Sequence, residues 1–121
     1  MKENIRISEK FYKNVILYKI LKLKGNIMIY ITGDTHADFN RFLTDKFPIQ
    51  TEMNKDDYVI ICGDFGRVWT FEKENVQEKY WLDYLNEKNF TTLFVDGNHE
   101  NFTRLYDYPV EEWHGGKVHK I

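Results

Sequence analysis

Three short apolar runs, each ending in a glycine and a polar residue, constrain the fold of this 121-residue chain more than any other feature. The runs read "NIMIYITGD" (residues 26–34), "YVIICGD" (residues 58–64) and "TTLFVDGN" (residues 91–98). Their apolar residues are continuous rather than alternating, which is typical of strands buried on both faces of a parallel sheet. We therefore expect three neighbouring parallel strands.

Segments with helical periodicity fill the gaps between these runs. Helices are predicted over residues 39–47, 76–85 and 102–106, and Pro48 would end the first of them. The apolar positions behind these predictions are Phe39, Phe42, Leu43 and Phe47; Val76, Tyr80, Trp81, Tyr84 and Leu85; and Phe102 and Tyr106. The alternation of strands and helices predicts an α/β fold, with a layered, mostly parallel sheet, flanking helices and right-handed crossovers.

The C-terminal stretch contains Gly115 and Gly116 between two runs that favour extended structure. This pattern is compatible with a hairpin, or with a loop that leads into a further strand. We assign residues 27–121 to one domain, because its length supports a single small core.

Residues 1–26 differ in charge from the rest of the chain. They carry seven basic and two acidic side chains, a net charge of +5, whereas the whole chain has −2, so the remainder has −7. Three interpretations remain open for this basic extension: an amphipathic helix, a disordered surface segment, or sequence that is not natively translated. The third follows from Lys24–Met28, which back-translates into a purine-rich ribosome-binding stretch before a start codon, so that translation would begin at Met28.

Composition excludes several classes of protein. Cys62 is the only cysteine, which rules out a disulfide framework and a cysteine-based zinc site. No apolar run approaches the roughly 20 residues that a membrane span requires. Lys19 and Lys22 interrupt the apolar N-terminal stretch, which argues against a signal peptide. We expect a cytoplasmic protein with no clear nucleic-acid or membrane partner.

Metal-ligand side chains follow each of the three predicted strands. Because the carboxyl ends of parallel strands meet at one edge of a sheet, these side chains should converge there. Oxygen and imidazole donors suit Mn²⁺, which we favour, and also Fe, Zn²⁺ or Ni²⁺. A carboxylate between two such clusters can bridge a pair of ions. The residues concerned are Asp34, His36, Asp64, Asn98 and His99.

The ordered motifs "GDTH", "GD" and "GNHE", each after a predicted buried strand, resemble those of the calcineurin-like metallophosphoesterase superfamily. The resemblance covers roughly residues 27–121. It implies half of a calcineurin-like phosphoesterase sandwich, two divalent metal ions as cofactors, and hydrolysis of a phosphate mono- or diester substrate by a metal-bridging hydroxide.

The resemblance also implies a role for each motif residue. Asp34 and His36 would bind the first metal, Asp64 would bridge both ions, and Asn98 would bind the second. His99 would contact the phosphate and help to protonate the leaving oxygen, and Glu100 would orient His99.

The sequence departs from the family pattern in two places near these motifs. Many relatives have glycine after the D-x-H histidine, whereas this chain has Ala37, so we expect backbone strain there. Arg67 stands where the protein-phosphatase motif has its second aspartate. It is a candidate for binding the substrate phosphate, against the simpler interpretation of a solvated surface arginine.

The later histidine ligands of the superfamily have no counterpart in this chain, because His114 and His119 follow "GNHE" too closely. The sequence therefore predicts a truncated domain, completed by a second chain or by a missing C-terminal half. The alternative function is a catalytically incompetent fragment, or a half-domain that binds metal or phosphate.

Two further residue types have ordinary structural explanations. Cys62 lies within a predicted strand and is expected to be a small buried hydrophobic residue. Trp69, Trp81 and Trp113 are expected in the core or in a lid rather than as a stacking surface.

Overall fold

A computed structural model describes the backbone of residues 5–12 and 15–22 and the complete residues 27–71 and 73–121. The described strands form a five-stranded sheet in the order β1-β2-β3-β4-β5 and a separate two-stranded sheet, β6-β7. The elements are β1 (Ile5–Tyr12), β2 (Val15–Lys22), β3 (Met28–Thr32), β4 (Tyr58–Cys62), α1 (Val76–Asn86), β5 (Thr91–Val95), α2 (Phe102–Asp107), β6 (Val110–Trp113) and β7 (Gly116–His119).

The three predicted parallel strands are confirmed. β3 pairs with β4 and β4 pairs with β5, both in parallel register, with Ile31 opposite Ile60 and Ile61 opposite Phe94. The carboxyl ends of all three strands therefore lie at the same edge of the sheet. The α/β class is confirmed too, and the sheet is mixed because β1 and β2 add two antiparallel ladders to it.

The basic extension forms strands, so its interpretation as a helix is wrong. β1 pairs antiparallel with β2, and β2 continues the sheet by pairing with β3, Ile20 lying opposite Ile29. The free edge of β3 supplies unpaired backbone groups for this ladder, which a helix cannot satisfy. A natural start of translation at Met28 stays a prediction.

A layer of aromatic side chains packs on one face of the parallel strands. Its innermost members are fully buried and come from the segment between β3 and β4, and from the residue before β5: Phe39, Phe42, Phe47 and Phe90. They cover Tyr30 on β3 and Val59 and Ile61 on β4. The segment between β3 and β4 thus supplies three of the fully buried aromatic side chains in this layer.

The helix predicted over residues 39–47 is wrong. Two short 3₁₀ helices, Asn40–Phe42 and Pro48–Glu52, take its place. Leu43 is extended (φ −61°, ψ 143°), which interrupts any helix at that point. Phe47 precedes Pro48, and proline disfavours the helical conformation in the preceding residue. Pro48 therefore begins a 3₁₀ helix instead of ending an α-helix.

The second face of the sheet is less buried than the continuous apolar runs predicted. Burial alternates along β4, with Val59 and Ile61 buried and Ile60 only half-buried. Cys62, at the end of the same strand, is exposed, so the expectation that it is buried is wrong. The aromatic layer covers the face that carries Val59 and Ile61, whereas on the other face Tyr58 contacts Trp113 of the two-stranded sheet, with the ring centroids 5.5 Å apart.

Helices α1 and α2 confirm the predictions made from periodicity. Asn75 caps α1 by accepting a hydrogen bond from the backbone of Glu78, and Asn101 caps α2 by accepting one from Arg104. The C-terminal glycines belong to a hairpin, β6–β7, whose turn places His114 and Gly115 in the left-handed region. In the described part of the chain, the helices are too short or too polar to cross a bilayer.

Asp57 links the amino ends of the three parallel strands to one another through hydrogen bonds. Its buried carboxylate accepts hydrogen bonds from the backbone of Met28 (2.7 Å) and Asn54 (2.9 Å), and its carbonyl accepts one from Thr91 (2.9 Å). The starts of β3, β4 and β5 are thus tied together, which sets the relative position of their opposite ends.

Candidate metal centre

The loops after β3, β4 and β5 bring four of the predicted ligand-type side chains together. The Nε2 atom of His36 lies 3.6 Å from Asp34 Oδ2 and 3.7 Å from Asp64 Oδ2. The Nδ1 atom of His99 lies 2.9 Å from the same oxygen of Asp64. The expected convergence at one edge of the sheet is therefore observed for Asp34, His36, Asp64 and His99.

Asp64 is the centre of this cluster. Its side chain is 6% exposed, whereas those of His36 and His99 are about 60% exposed. The backbone N–H of His99 donates to Asp64 Oδ1 at 2.8 Å, and this bond is the main reason that the pKa of Asp64 lies below its usual value. The bond from the His99 ring lowers the pKa further. Asp64 is therefore held as a carboxylate.

The donor atoms of His36, Asp64 and His99 all lie within 4.8 Å of one another. Two imidazole nitrogens and a carboxylate oxygen form a donor set that suits borderline divalent ions better than soft ions, which prefer thiolates. The separation of the atoms is small enough for a single ion to contact all three after small side-chain rotations. The cluster thus has the chemistry of a divalent metal site.

Glycines permit the close packing around the two aspartates. A Cβ atom on Gly97 would lie 2.1 Å from Asp64 Oδ1 and 2.3 Å from Asp64 N, so no side chain fits there. Gly63 has φ +91°, and a Cβ on it would lie 2.6 Å from Asp34 Oδ1. These two glycines therefore permit the close packing of the loops against Asp64 and Asp34. A Cβ atom on Gly33 would meet no atom within 4 Å, so close packing does not require a glycine at that position.

The loop after β3 is fastened to the loop after β4 through its backbone. His36 N donates to Asp64 O at 2.9 Å, and Ala37 N donates to Phe65 O at 2.9 Å. His36 and Ala37 both have positive φ, 45° and 64°. Ala37 thus adopts the left-handed conformation that favours glycine, as expected from the missing glycine of the D-x-H-G pattern.

Comparison with known proteins agrees with this geometry. The sequence model of the calcineurin-like phosphoesterases matches residues 27–119, which is most of the chain. The chain belongs to the calcineurin-like phosphoesterase family. No curated protein and no solved structure matches it. The family relationship implies hydrolysis of phosphoesters with divalent metal ions.

Glu100, the acidic residue of the "GNHE" motif in this calcineurin-like phosphoesterase, makes different contacts from those predicted. It is largely buried, and its carboxylate accepts hydrogen bonds from Gly66 N (2.6 Å), Phe65 N (3.2 Å) and Gly97 N (3.4 Å). The carboxylate that contacts the His99 ring is Asp64. Glu100 therefore fixes the loops that carry Asp64 and His99, and the expectation that it orients the imidazole is wrong.

Arg67 lies beside the cluster, in a shallow pocket of about 440 Å³. Its guanidinium centre is 5.4 Å from the ring centroid of Trp81, a distance at which a cation and an aromatic face attract. Burial lowers the pKa of Arg67 below its usual value, while Glu78 acts in the opposite direction. The pocket is lined by His36, Ala37, Gly66, Arg67, Trp69 and His99.

Asn98 and the two C-terminal histidines lie apart from the contacts of the cluster. Asn98 is exposed, and its side chain forms no hydrogen bond within the described part of the chain. His114 contacts the hydroxyl of Tyr58, at the start of β4, and therefore lies at the opposite end of that strand from Asp64. His119 contacts the carbonyl of Tyr108. That neither histidine supplies the later ligands of the calcineurin-like family stays a prediction.

Sequence reasoning missed the buried ion pair that supports the pocket. Arg104 Nη1 lies 2.7 Å from Glu78 Oε2, and the same carboxylate accepts hydrogen bonds from the backbone of Trp69 and Thr70, each at 2.8 Å. The Asn-x-x-Glu spacing of Asn75 and Glu78 signals a helix start. It gives no sign that this glutamate also holds a loop of the site.

Proposed function

We propose that this chain hydrolyses a phosphate mono- or diester with two divalent metal ions. In this proposal Asp34 and His36 bind one ion, Asp64 bridges the two, and Asn98 binds the second. The observation that carries the proposal is the convergence of Asp34, His36 and Asp64 at the carboxyl edge of the parallel strands, where His36 Nε2 lies 3.6 Å from Asp34 Oδ2 and 3.7 Å from Asp64 Oδ2 and His99 contacts Asp64.

The residues present fit divalent ions of borderline character. Asp64 is held anionic by its bonds to His99, and Asp34 adds a second carboxylate oxygen 3.6 Å from His36 Nε2. Mn²⁺ is the ion that we favour for a set of carboxylate, imidazole and amide donors, with Fe, Zn²⁺ and Ni²⁺ as the other candidates. When bound, such ions would activate water and neutralise the charge that develops on the phosphoryl oxygens.

His99 is the residue that we assign to the substrate phosphate. A carboxylate can only accept hydrogen bonds, so the contact with Asp64 places the proton of the His99 ring on Nδ1. In this proposal the other ring nitrogen, Nε2, faces the substrate phosphate. It would give a proton to the leaving oxygen from the form of the ring in which Nε2 carries a proton as well as Nδ1.

Hydrolysis of a chromogenic phosphate ester tests the proposal. The Mn²⁺-loaded protein should release nitrophenolate from p-nitrophenyl phosphate or its diester, and Asp64→Asn should abolish the reaction. Asp96→Asn is a matched control, because Asp96 follows the same sheet edge and contacts Tyr106 instead of the cluster. Absence of turnover with Mn²⁺, Fe²⁺, Zn²⁺ and Ni²⁺ alike would contradict the proposal.

A second candidate function is metal or phosphate binding without turnover. It is favoured by the number of donors, because the second ion would receive only Asp64 and Asn98, whereas divalent transition ions generally take four or more ligands. A second copy of the chain, or a further C-terminal segment with the later histidines, would complete the site and restore hydrolysis. The number of ions bound per chain separates the two functions.

The cellular location remains a prediction. A single cysteine, exposed at the end of β4, suits a reducing compartment, and we propose the cytoplasm on that basis. Fractionation of cells that express the native gene tests this assignment.

A further inference from the structure

A tryptophan forms part of the pocket beside the metal cluster without belonging to the core. Trp69 is 55% exposed, although it is one of the largest apolar side chains in the protein. It lines the shallow pocket that His36 and His99 also line. An indole face left open next to the reacting groups is available to a planar group of a bound molecule.

The backbone that carries Trp69 is held unusually firmly for a loop. Its N–H donates to Glu78 Oε1 at 2.8 Å, and its carbonyl accepts a hydrogen bond from Asn101 Nδ2 at 3.2 Å. The adjacent Thr70 donates to the same Glu78 oxygen and accepts a hydrogen bond from Arg104. The peptide groups on both sides of Trp69 are therefore held by hydrogen bonds.

Buried charges supply this support. Glu78 is 3% exposed and Arg104 is 8% exposed, and the two form an ion pair of 2.7 Å. A buried ion pair with further hydrogen bonds keeps its geometry because any displacement leaves a charge unpaired. The backbone that carries the exposed indole is thus ordered before a ligand binds. This preorganisation lowers the conformational entropy that is lost when a ligand stacks on the indole.

Arg67 completes the side of the pocket next to Trp69. Its buried Nε donates no hydrogen bond within the described part of the chain, and its guanidinium lies over the ring of Trp81. A cation held in this way provides positive potential beside an aromatic wall. The pocket therefore combines a face for a planar group with charge that complements an anion.

We propose that Trp69 stacks on an aromatic group esterified to the substrate phosphate, so that the substrate is a small aryl or nucleoside phosphate. This inference rests on the proposed function, because it places the phosphate at the metal cluster. It deepens that function by naming the chemical class of the ester group, which the metal ligands themselves do not select.

Calorimetric titration of the Mn²⁺-loaded full chain tests the inference with phenyl phosphate and cyclohexyl phosphate. The two esters have similar size and charge, and only the first has a planar aromatic ring. Phenyl phosphate should bind more tightly, and Trp69→Ala should weaken it roughly tenfold, the usual effect of losing an aromatic stacking partner. Trp69→Ala should leave cyclohexyl phosphate and inorganic phosphate nearly unchanged.

Two further variants control the experiment. Trp69→Phe retains an aromatic face and should restore most of the preference for phenyl phosphate. Phe71 belongs to the same loop, is 93% exposed and lies outside the pocket lining. Phe71→Ala should therefore leave the binding of both esters unchanged. Adenosine monophosphate, compared with ribose 5-phosphate, shows whether a nucleobase reaches the same face.

The outcomes distinguish the inference from the proposed function. Equal binding of phenyl and cyclohexyl phosphate, or an equal loss of both in Trp69→Ala, overturns the stacking inference and leaves the metal chemistry standing. Failure of inorganic phosphate and of every ester to bind at any Mn²⁺ concentration overturns the proposed function and the stacking inference together. Unfolding curves of each variant show that the fold is retained.

Discussion

The carboxylate of Asp64 accepts two hydrogen bonds from one residue, His99: one from the backbone N–H at 2.8 Å and one from Nδ1 of the ring at 2.9 Å. The loops after β4 and β5 are therefore joined at the residue that we propose to bridge the metal ions. Glu100 also links the two loops, because its carboxylate accepts hydrogen bonds from the backbone of both. In the proposed centre, metal binding and the orientation of His99 would thus depend on the same carboxylate, that of Asp64.

His99→Gln should separate a catalytic role from a ligand role. If His99 contacts the phosphate, the variant should lose roughly a hundredfold or more in kcat, the usual contribution of a positioned acid or base. Its bound Mn²⁺, measured by atomic emission, should stay unchanged. His114→Gln is the control, because His114 lies at the other end of β4. Loss of metal together with activity would show that His99 is a ligand instead.

Gly97→Ala should disturb the site through packing alone. The new Cβ would lie 2.1 Å from Asp64 Oδ1, so the carboxylate or the loop must move. We expect a loss of about 1–3 kcal/mol in the free energy of unfolding, as is typical of overpacking, and weaker binding of Mn²⁺. Gly33→Ala is the control, because its Cβ would meet nothing within 4 Å. Unchanged Mn²⁺ affinity in Gly97→Ala would contradict the predicted displacement of Asp64.

Ala37→Gly should stabilise the protein. Ala37 has φ +64°, a conformation that costs an L-residue about 1–2 kcal/mol. Glycine avoids this cost but loses about 0.4–1 kcal/mol through the greater freedom of its unfolded chain. We expect a net gain of about 0.5–1 kcal/mol in urea unfolding. A loss of stability would show that the left-handed conformation of Ala37 is not strained.

Glu78→Gln should destabilise the fold in a pH-dependent way. Burial alone would raise the pKa of Glu78, but hydrogen bonds from Thr70, Trp69 and Arg104 outweigh it, so the pKa in the folded state is lowered. Removing the charge leaves Arg104 buried without its partner, which costs about 3–5 kcal/mol in free energy of unfolding.

The sign of the pH effect follows from the lowered pKa of Glu78. Its stabilisation is fully present above the unfolded pKa of about 4.3, and it is lost as the pH falls through the folded pKa. The difference in unfolding free energy between wild type and Glu78→Gln should therefore be full at neutral pH and shrink in acid. Asp83→Asn breaks only the exposed pair with Lys79 and should cost less than about 1 kcal/mol. A difference in unfolding free energy between wild type and Glu78→Gln that stays constant from neutral pH into acid would contradict the lowered pKa of Glu78.

The site was predictable where it depends on strand order. Parallel strands that each end in a polar motif must bring those motifs to one edge, so the meeting of Asp34, His36 and Asp64 follows from the sequence. The support around them was not predictable. Glu100 and Glu78 both contact backbone groups in loops distant along the chain, and no local pattern signals such contacts.

The errors in the fold prediction have physical causes. The aromatic spacing over residues 39–47 fits a helix, but Leu43 is extended and Phe47 precedes a proline. In the basic extension, apolar residues fit a helix as well as a strand, and pairing with the free edge of β3 decides the outcome. Cys62 looks buried because its run is apolar, whereas its place at the end of β4 leaves it exposed.

Equilibrium dialysis against Mn²⁺ tests the central claim most directly, namely that the cluster around Asp64 is a centre for two metal ions. The account predicts close to two ions per wild-type chain, and loss of both in Asp64→Asn, because the same carboxylate holds each of them. One ion per chain would favour the binding function without turnover. No saturable binding by the wild type, or an unchanged count in Asp64→Asn, would contradict the account.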